Sequence, residues 1–363
     1  MPEVLDWRRD DPAKVIVRAV EFLRHGLLVA IPTDTVYAVL AHALEPSAVA
    51  RLGELVRQPP TVGLADPLEV MDWLPNLDGL GLRLVRHCWP GPLALRSGAG
   101  AEAGLVRRLP ASAQDCLLSD GRLTLRVSGH PLLGQIVSQL AGPVVFAELA
   151  NAVAAENALA SSGESVALLV NDGPAYFGQP ASVVQVAGRS WKMVSEGILS
   201  PEHLAELAIC RILFVCTGNT CRSPLAMAMC RHLLAERLGC SEAELPARGF
   251  QVHSAGLAAT MGESASPEAV DIARERGANL AEHSSQPLSA ELLAQADCLF
   301  TMTHGHLRMF QGLNLDIGPE PRLLAADGTD VVDPIGCDIE VYRDCARKIT
   351  ECLEQRMPEI LEM

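Results

Sequence analysis

Lysine is nearly missing from this chain: Lys14, Lys192 and Lys348 are the only three among 363 residues. Acidic residues outnumber basic ones, for a net charge of −15. The first 200 residues hold 16 Lys and Arg against 20 Asp and Glu, a balance of −4; the rest hold 13 against 24, a balance of −11. Such a field opposes nonspecific nucleic-acid binding, which needs many cationic contacts to phosphates. No apolar run approaches the roughly 20 residues that span a bilayer. The best candidate, Gly26 to Pro32, is short and follows Arg24 and His25. The stretch Met1 to Asp11 is acidic and lacks the basic-then-apolar order of a signal peptide. No Cys-x-x-Cys pair occurs, which argues against a structural zinc site. Eleven cysteines, scattered from Cys88 to Cys352, do not form the framework of a small secreted scaffold. The expectation is a cytoplasmic protein with free thiols, no metal, no cofactor and no membrane partner.

An apolar content of 49% with 20% charge is globular, and 363 residues suggest two domains. The first half reads as mixed α/β. Lys14–His25 has helical periodicity, and Leu27–Ile31 is a short apolar strand ending at Pro32. Asp66–Ser97 reads as loops around short helices, with later strands expected at Leu123–Val127, Val144–Phe146, Val166–Val170 and Val183–Val186. The second half alternates more cleanly. Strands are expected at Ile212–Val215, Gln251–His253 and Cys298–Met302. Helices are expected at Pro224–Leu238, Pro267–Arg276, Ser289–Ala296 and Val341–Met357. That alternation implies a doubly wound parallel sheet. The expected division is 1–200 and 211–363, with 201–210 as linker.

Cys216-Thr-Gly-Asn-Thr-Cys-Arg222-Ser-Pro follows the first of those strands and precedes a helix. A loop wrapped around a helix N-terminus turns several backbone N–H groups toward one spot, forming an anion cradle. Thr217, Gly218, Asn219, Thr220, Cys221 and Ser223 are the candidate phosphate-binding residues. Gly218 is expected to take the angles that a β-carbon resists. Arg222 offers a planar fork to a phosphoryl group. That environment should favour the Cys216 thiolate, Ser223 can hydrogen-bond it, and Pro224 suits the first helical position. The alternative is a buried, inert cysteine six residues from an unrelated arginine. Strand, Gly, Arg, Ser-Pro and helix in that order weigh against it.

On these residues 211–363 resemble the low-molecular-weight protein tyrosine phosphatases. The resemblance extends to Ser254-Ala-Gly256, His283-Ser284, Met302-Thr-His304 and Asp330-Val-Val-Asp-Pro-Ile-Gly336. It implies that Cys216 attacks phosphorus, Arg222 binds the equatorial oxygens, and Asn219 orients the loop through Ser254 and His283. It also implies that Asp333 protonates the leaving group and then activates water. Read alone, Asp333 before Pro334 is either an exposed loop acid or a turn cap; Ser254 and His283 alone suit core or turn positions. Cys221 has a family analogue as a redox partner of Cys216, or is a small buried hydrophobe.

A phosphotyrosine pocket needs flat apolar walls. Here Ile335 follows the Asp-Pro, Leu257–Met261 follow the second strand, and Thr220 precedes Cys221. These departures resemble the bacterial protein-arginine phosphatases, although Phe is usual there at the place of Ile335. A phosphorylated protein, with phosphoarginine favoured over phosphotyrosine, is the expected substrate.

Residues 12–200 resemble the YrdC-like threonylcarbamoyl-AMP synthase domain of tRNA modification. The carriers are Ile31-Pro-Thr-Asp-Thr-Val-Tyr37, Trp89-Pro-Gly-Pro92, Leu125-Arg-Val127, Ser182-Val-Val184 and Glu196-Gly197. The resemblance implies a twisted mixed α/β fold. The family's Lys-x-Arg is here Val56-Arg-Gln58, its Ser-x-Asn is Leu149-Ala-Asn151, and its Arg before Glu196 is Ser195. Those losses strip charge that would hold ATP phosphates and a carboxylate. Thr33, Thr35, Arg126 and Ser182 survive, as structural residues on this reading. The expectation is a degenerate domain serving as a scaffold or as sensor of a small nucleotide-like or threonine-like ligand. The competing expectation is a nucleotide- or tRNA-binding protein with residual synthase function and an auxiliary phosphatase.

Overall fold

A computed structural model describes residues 2–56, 59–312 and 317–363. The chain forms two compact units, Met1–Leu207 and Ala208–Met363. The stretch expected as linker, 201–210, is ordered. Pro201–Leu207 is a helix of the first unit, and the second unit's first strand begins at Cys210. Among the described residues no helix is long and apolar enough to cross a membrane.

The first unit is built on a ten-stranded mixed sheet. Its order is Glu3–Asp6, Val166–Asn171, Leu28–Ile31, Ala38–His42, Val144–Glu148, Thr61–Gly63, Leu123–Arg126, Leu93–Ser97, Ser182–Ala187 and Ser190–Ser195. Helix Pro12–Arg24 starts where the Asp11 side chain accepts from Ala13 N at 3.1 Å, with Pro12 in its first turn. It buries Val15, Ile16, Ala19, Val20 and Leu23 in the same core as Val29, Leu40, Phe146 and Leu168. Five of the ten strands were not expected. Ala38–His42 is buried at every position and shows no alternation, so period 2 has nothing to reveal there. Leu93–Ser97 emerges inside the stretch read as loops.

The second unit has a four-stranded, wholly parallel sheet, with elements β1 Cys210–Cys216, β2 Phe250–Gly256, β3 Cys298–Thr301 and β4 Arg322–Leu323 in the order β2-β1-β3-β4. The helices are α1 Arg222–Leu238, α2 Pro267–Glu275, α3 Ala290–Gln295, α4 His304–Gly312 and α5 Ile339–Glu362. Alternate residues of β1 feed two cores: Ile212 and Phe214 pack with α1 and α5, Leu213 and Val215 with α3 and Phe310 of α4. Both faces are therefore covered, as a doubly wound sheet requires. Helix α1 begins at Arg222, two residues before the expected Pro224. The proline still falls in the first turn, where backbone N–H groups have no helical partner. Every strand of this sheet points its C-terminal end the same way, and β1 delivers Cys216 there.

Candidate active site

Cys216 is the last residue of β1, and its side chain is buried. The loop that follows returns two polar groups to its sulfur. Asn219 N lies 3.3 Å from Sγ and Ser223 Oγ lies 3.0 Å from it. The left-handed position falls on Asn219, at φ 57°, and not on Gly218 as expected. A β-carbon on Gly218 would only touch Thr220 Oγ1 at 3.6 Å. Asparagine tolerates this conformation better than most residues, and here its polar atoms are held on several sides. Nδ2 donates to Ser223 Oγ and to Ser254 Oγ, both at 2.9 Å. Oδ1 accepts from Gln286 N at 3.0 Å, and the carbonyl accepts from His283 Nε2 at 2.8 Å. Because a carbonyl only accepts, His283 carries its proton on Nε2; burial holds this imidazole below its ordinary range.

Strand β2 and the loop after it support the cradle from one side. Leu257 N donates to Cys216 O, and Ala258 N to Thr217 O, both at 2.9 Å. The packing is so close at Gly256 that a β-carbon would sit 2.5 Å from Thr217 O, so only glycine fits. On the other side Thr217 Oγ1 lies 3.0 Å from Nε2 of the buried His306. Cys221 Sγ lies 3.4 Å from both Ser266 Oγ and Tyr342 OH, and Cys216 and Cys221 are both free thiols.

Arg222 opens α1 with its guanidinium 5% exposed as a residue, while the Asp333 side chain is 41% exposed. Arg222 Nη2 donates to Asp333 Oδ2, and Nη1 approaches Val331 O at 3.5 Å. Arg222 Nε is buried and has no hydrogen-bond partner among the described residues. Asp333 Oδ1 accepts from Ile335 N at 3.3 Å, a short turn that presents the carboxyl toward the loop. Val332 and Ile335, on either side of Asp333 and Pro334, are 69% and 65% exposed. The residues singled out from sequence, Cys216 through Ser223 with Ser254, His283 and Asp333, thus converge on one place. Gln286 and His306 were not anticipated. Met302-Thr-His304 lies just before His306 and was the one pointer toward it. Among the described residues no cluster of His, Cys, Asp and Glu is arranged to hold a metal ion.

The first unit encloses a cavity of about 490 Å³ lined by Val56, Thr61, Arg126, Glu148, Ala181 and Ser195, among others. Arg57 and Gln58, beside Val56, lie outside the described residues. Arg126 is 1% exposed and fully engaged. Its Nη2 donates to Asp34 Oδ1 at 2.7 Å, its Nε to Gly91 O at 2.9 Å, and its Nη1 to Thr35 Oγ1 at 3.0 Å and to Glu148. Thr33 Oγ1 donates to Val36 O at 2.5 Å. Ser182 Oγ donates to Leu199 O at 2.9 Å and accepts from Gly197 N at 3.1 Å. The surviving polar residues therefore bond to the protein itself.

Residues 211–362 match the family model for low molecular weight phosphotyrosine protein phosphatase, and residues 21–197 the Sua5, YciO and YrdC model described as telomere recombination. The protein-arginine-phosphatase of Bacillus subtilis strain 168 is 35% identical over 148 residues, 40% of this chain and 92% of that protein. That of Geobacillus stearothermophilus is 38% identical over 161 residues, 42% of this chain and 96% of that protein. In the first half, the threonylcarbamoyl-AMP synthase of Chromohalobacter salexigens is 32% identical over 169 residues, 44% of this chain and 86% of that protein. The chain therefore belongs, through its second unit, to the low-molecular-weight protein phosphatase family, with a YrdC-family domain fused ahead of it.

Proposed function

We propose that the second unit dephosphorylates proteins through a cysteinyl-phosphate intermediate. The Cys216 thiolate attacks phosphorus, the bond to the leaving nitrogen or oxygen breaks, and Asp333 gives that atom a proton. Asp333 then takes a proton from water, which attacks the phosphocysteine and releases inorganic phosphate with the thiolate restored. Arg222 binds the equatorial oxygens beside the loop amides, exchanging its contact with Asp333 for the phosphoryl group. The observation that carries this reading is the convergence on one sulfur of Asn219 N and Ser223 Oγ, with Arg222 and Asp333 paired at the rim of the same loop.

Phosphoarginine is the favoured substrate. The exposed residues flanking Asp333 and Pro334 are Val332 and Ile335, with no flat ring to sandwich tyrosine, and Thr220 supplies a hydroxyl for a planar guanidinium. The similarity to two protein-arginine-phosphatases supports the same choice. Purified protein should release phosphate faster from phosphoarginine than from phosphotyrosine peptides, and Thr220→Ile should shift that ratio toward tyrosine. Cys216→Ser should abolish both activities, lowering turnover on the order of 10⁴-fold or more. The opposite preference in the unaltered protein removes the arginine reading; turnover that survives Cys216→Ser removes the mechanism.

For the first unit we propose a scaffold or small-ligand sensor without synthase activity. The carrying observation is Arg126, which lines the cavity but whose charge is matched by Asp34 and Glu148 and so is not free for a phosphate. The cavity itself favours the second reading, a nucleotide-binding unit with residual synthase function. Incubation with ATP, threonine and bicarbonate separates them: an adenylate product means a working synthase.

A further inference from the structure

The first turn of α4 touches both loops of the phosphatase site. Asp330, three residues before Asp333, accepts at Oδ1 from the backbone N of His304 at 2.8 Å and pairs with His304 Nδ1 at 2.8 Å. Its neighbour Val331 donates through N to Met302 O at 2.9 Å. The loop that carries Asp333 is therefore fastened to the entry of α4. Within the same turn, His306 N donates to Thr303 Oγ1 at 3.2 Å, and the His306 ring turns inward at 5% exposure. Its Nε2 meets Thr217 Oγ1 at 3.0 Å, and its Nδ1 is buried with no hydrogen-bond partner among the described residues.

Thr217 is exposed and directly follows the nucleophile. Its backbone carbonyl is pinned by Ala258 N, and its side chain is pinned from the opposite side by His306. An exposed threonine hydroxyl ordinarily bonds to water and turns freely; a buried imidazole fixes its direction. A buried ring nitrogen without a partner is a standing cost to the fold. Among the described residues the ring's one polar contact with the protein is the one to the phosphate loop.

We propose that His306 is a positioning residue for dephosphorylation, holding Thr217 so that the first turn of α4 couples the Asp333 loop to the phosphate loop. The inference rests on the phosphatase reading above. Charge state supports it. Burial, reinforced by Arg222, holds the imidazole below its ordinary range, while Asp333 and Asp330 act in the opposite sense. At neutral pH the ring is therefore neutral and adds no second cation beside Arg222. In acid it gains a proton and adds a second positive charge near Arg222.

The test uses the full chain with p-nitrophenyl phosphate as substrate and inorganic phosphate as competitive inhibitor. His306→Phe, which keeps bulk and removes the hydrogen bond, should lower kcat/KM and weaken phosphate inhibition about 3- to 10-fold. Thr217→Val should do the same, and the double variant should be no worse than either single one. His306→Asn should recover most of the activity while losing one ionisation from the acid limb of the kcat/KM profile. Unchanged kinetics in His306→Phe, multiplicative effects in the double variant, or an unaltered acid limb in His306→Asn overturns the proposal. Should His306→Phe fold poorly, the Thr217→Val comparison and the His306→Asn profile decide alone. Full activity in Cys216→Ser is a different failure, of the phosphatase reading itself.

Discussion

Arg126 in the first unit and Arg222 in the second are both buried and both paired with carboxylates, but their surroundings differ. Arg126, the last residue of a strand in the first unit, spends Nε and both terminal nitrogens on Asp34, Thr35, Gly91 and Glu148. Its carboxylate partners are themselves well buried, with side chains 10% and 18% exposed. Among the described residues Arg222 has a single carboxylate partner, on a loop whose acid is 41% exposed, and keeps an unpartnered Nε. A guanidinium enclosed by fixed partners is a strut. One whose single partner is half-exposed is, on the proposed mechanism, a receptor for an anion. Sequence proximity to a family motif does not separate the two; the supply of counter-charge does.

Removing the strut should have the largest effect, and on stability. Arg126→Met leaves Asp34 and Glu148 buried without their cation, a loss of about 3–5 kcal/mol from the first unit. Denaturant unfolding followed by amide protection in the strands Leu123–Arg126 and Val144–Glu148 measures it. An unchanged midpoint would place Arg126 with the anion receptors after all and revive the synthase reading.

The receptor should respond in rate. Asp333→Asn removes the proposed proton donor and Arg222's partner together, and is expected to lower kcat about 10²- to 10³-fold on phosphorylated peptides. The loss should be smaller on p-nitrophenyl phosphate, whose leaving group needs little protonation. Melting temperature should hardly move, because an ion pair with one half-exposed partner contributes little to stability. Equal losses on both substrates would mean that Asp333 serves the site only as a counter-ion.

The geometry around Cys216 was legible because Cys216, Ser223 and Arg222 lie within eight consecutive residues, where strand, turn and helix order alone predicts convergence. The parts that return from a distance were not legible in that way. Ser254 and His283 were reached through family resemblance. Gln286 and His306 meet the loop from 67 and 89 residues away, with no pattern to announce them. Gly218 drew the strained position on general grounds, yet Asn219 holds it because its side chain and carbonyl have fixed partners there. In the first unit Arg126 was read as structural, but Glu148 was unforeseen. Its role depends on the register that sets Val144–Glu148 against Ala38–His42. Fully buried strands such as Ala38–His42 lack alternation and so gave no period to detect.

The smallest expected difference between the units lies in their response to acid. The second unit carries three imidazoles that burial holds below their ordinary range, those of His253, His283 and His306; the first has His42 in that condition. In the unfolded chain each binds a proton near the ordinary histidine value of about 6.5, before its folded counterpart does. Protons then favour unfolding, so the stability tied to the neutral rings is complete above about pH 6.5 and is lost as pH falls toward the lowered values. Each such ring contributes at most about 1.4 kcal/mol per pH unit across that window. Amide protection measured between about pH 7 and 5, above the range where most carboxylates titrate, should therefore decline more steeply in β1 and β2 than in the first unit's sheet. His253→Gln should flatten the decline in the second unit by roughly one proton's worth. Its ring is held down by burial and by Arg231 and Arg211. Parallel declines in the two units would mean that the buried imidazoles are not what distinguishes their acid sensitivity.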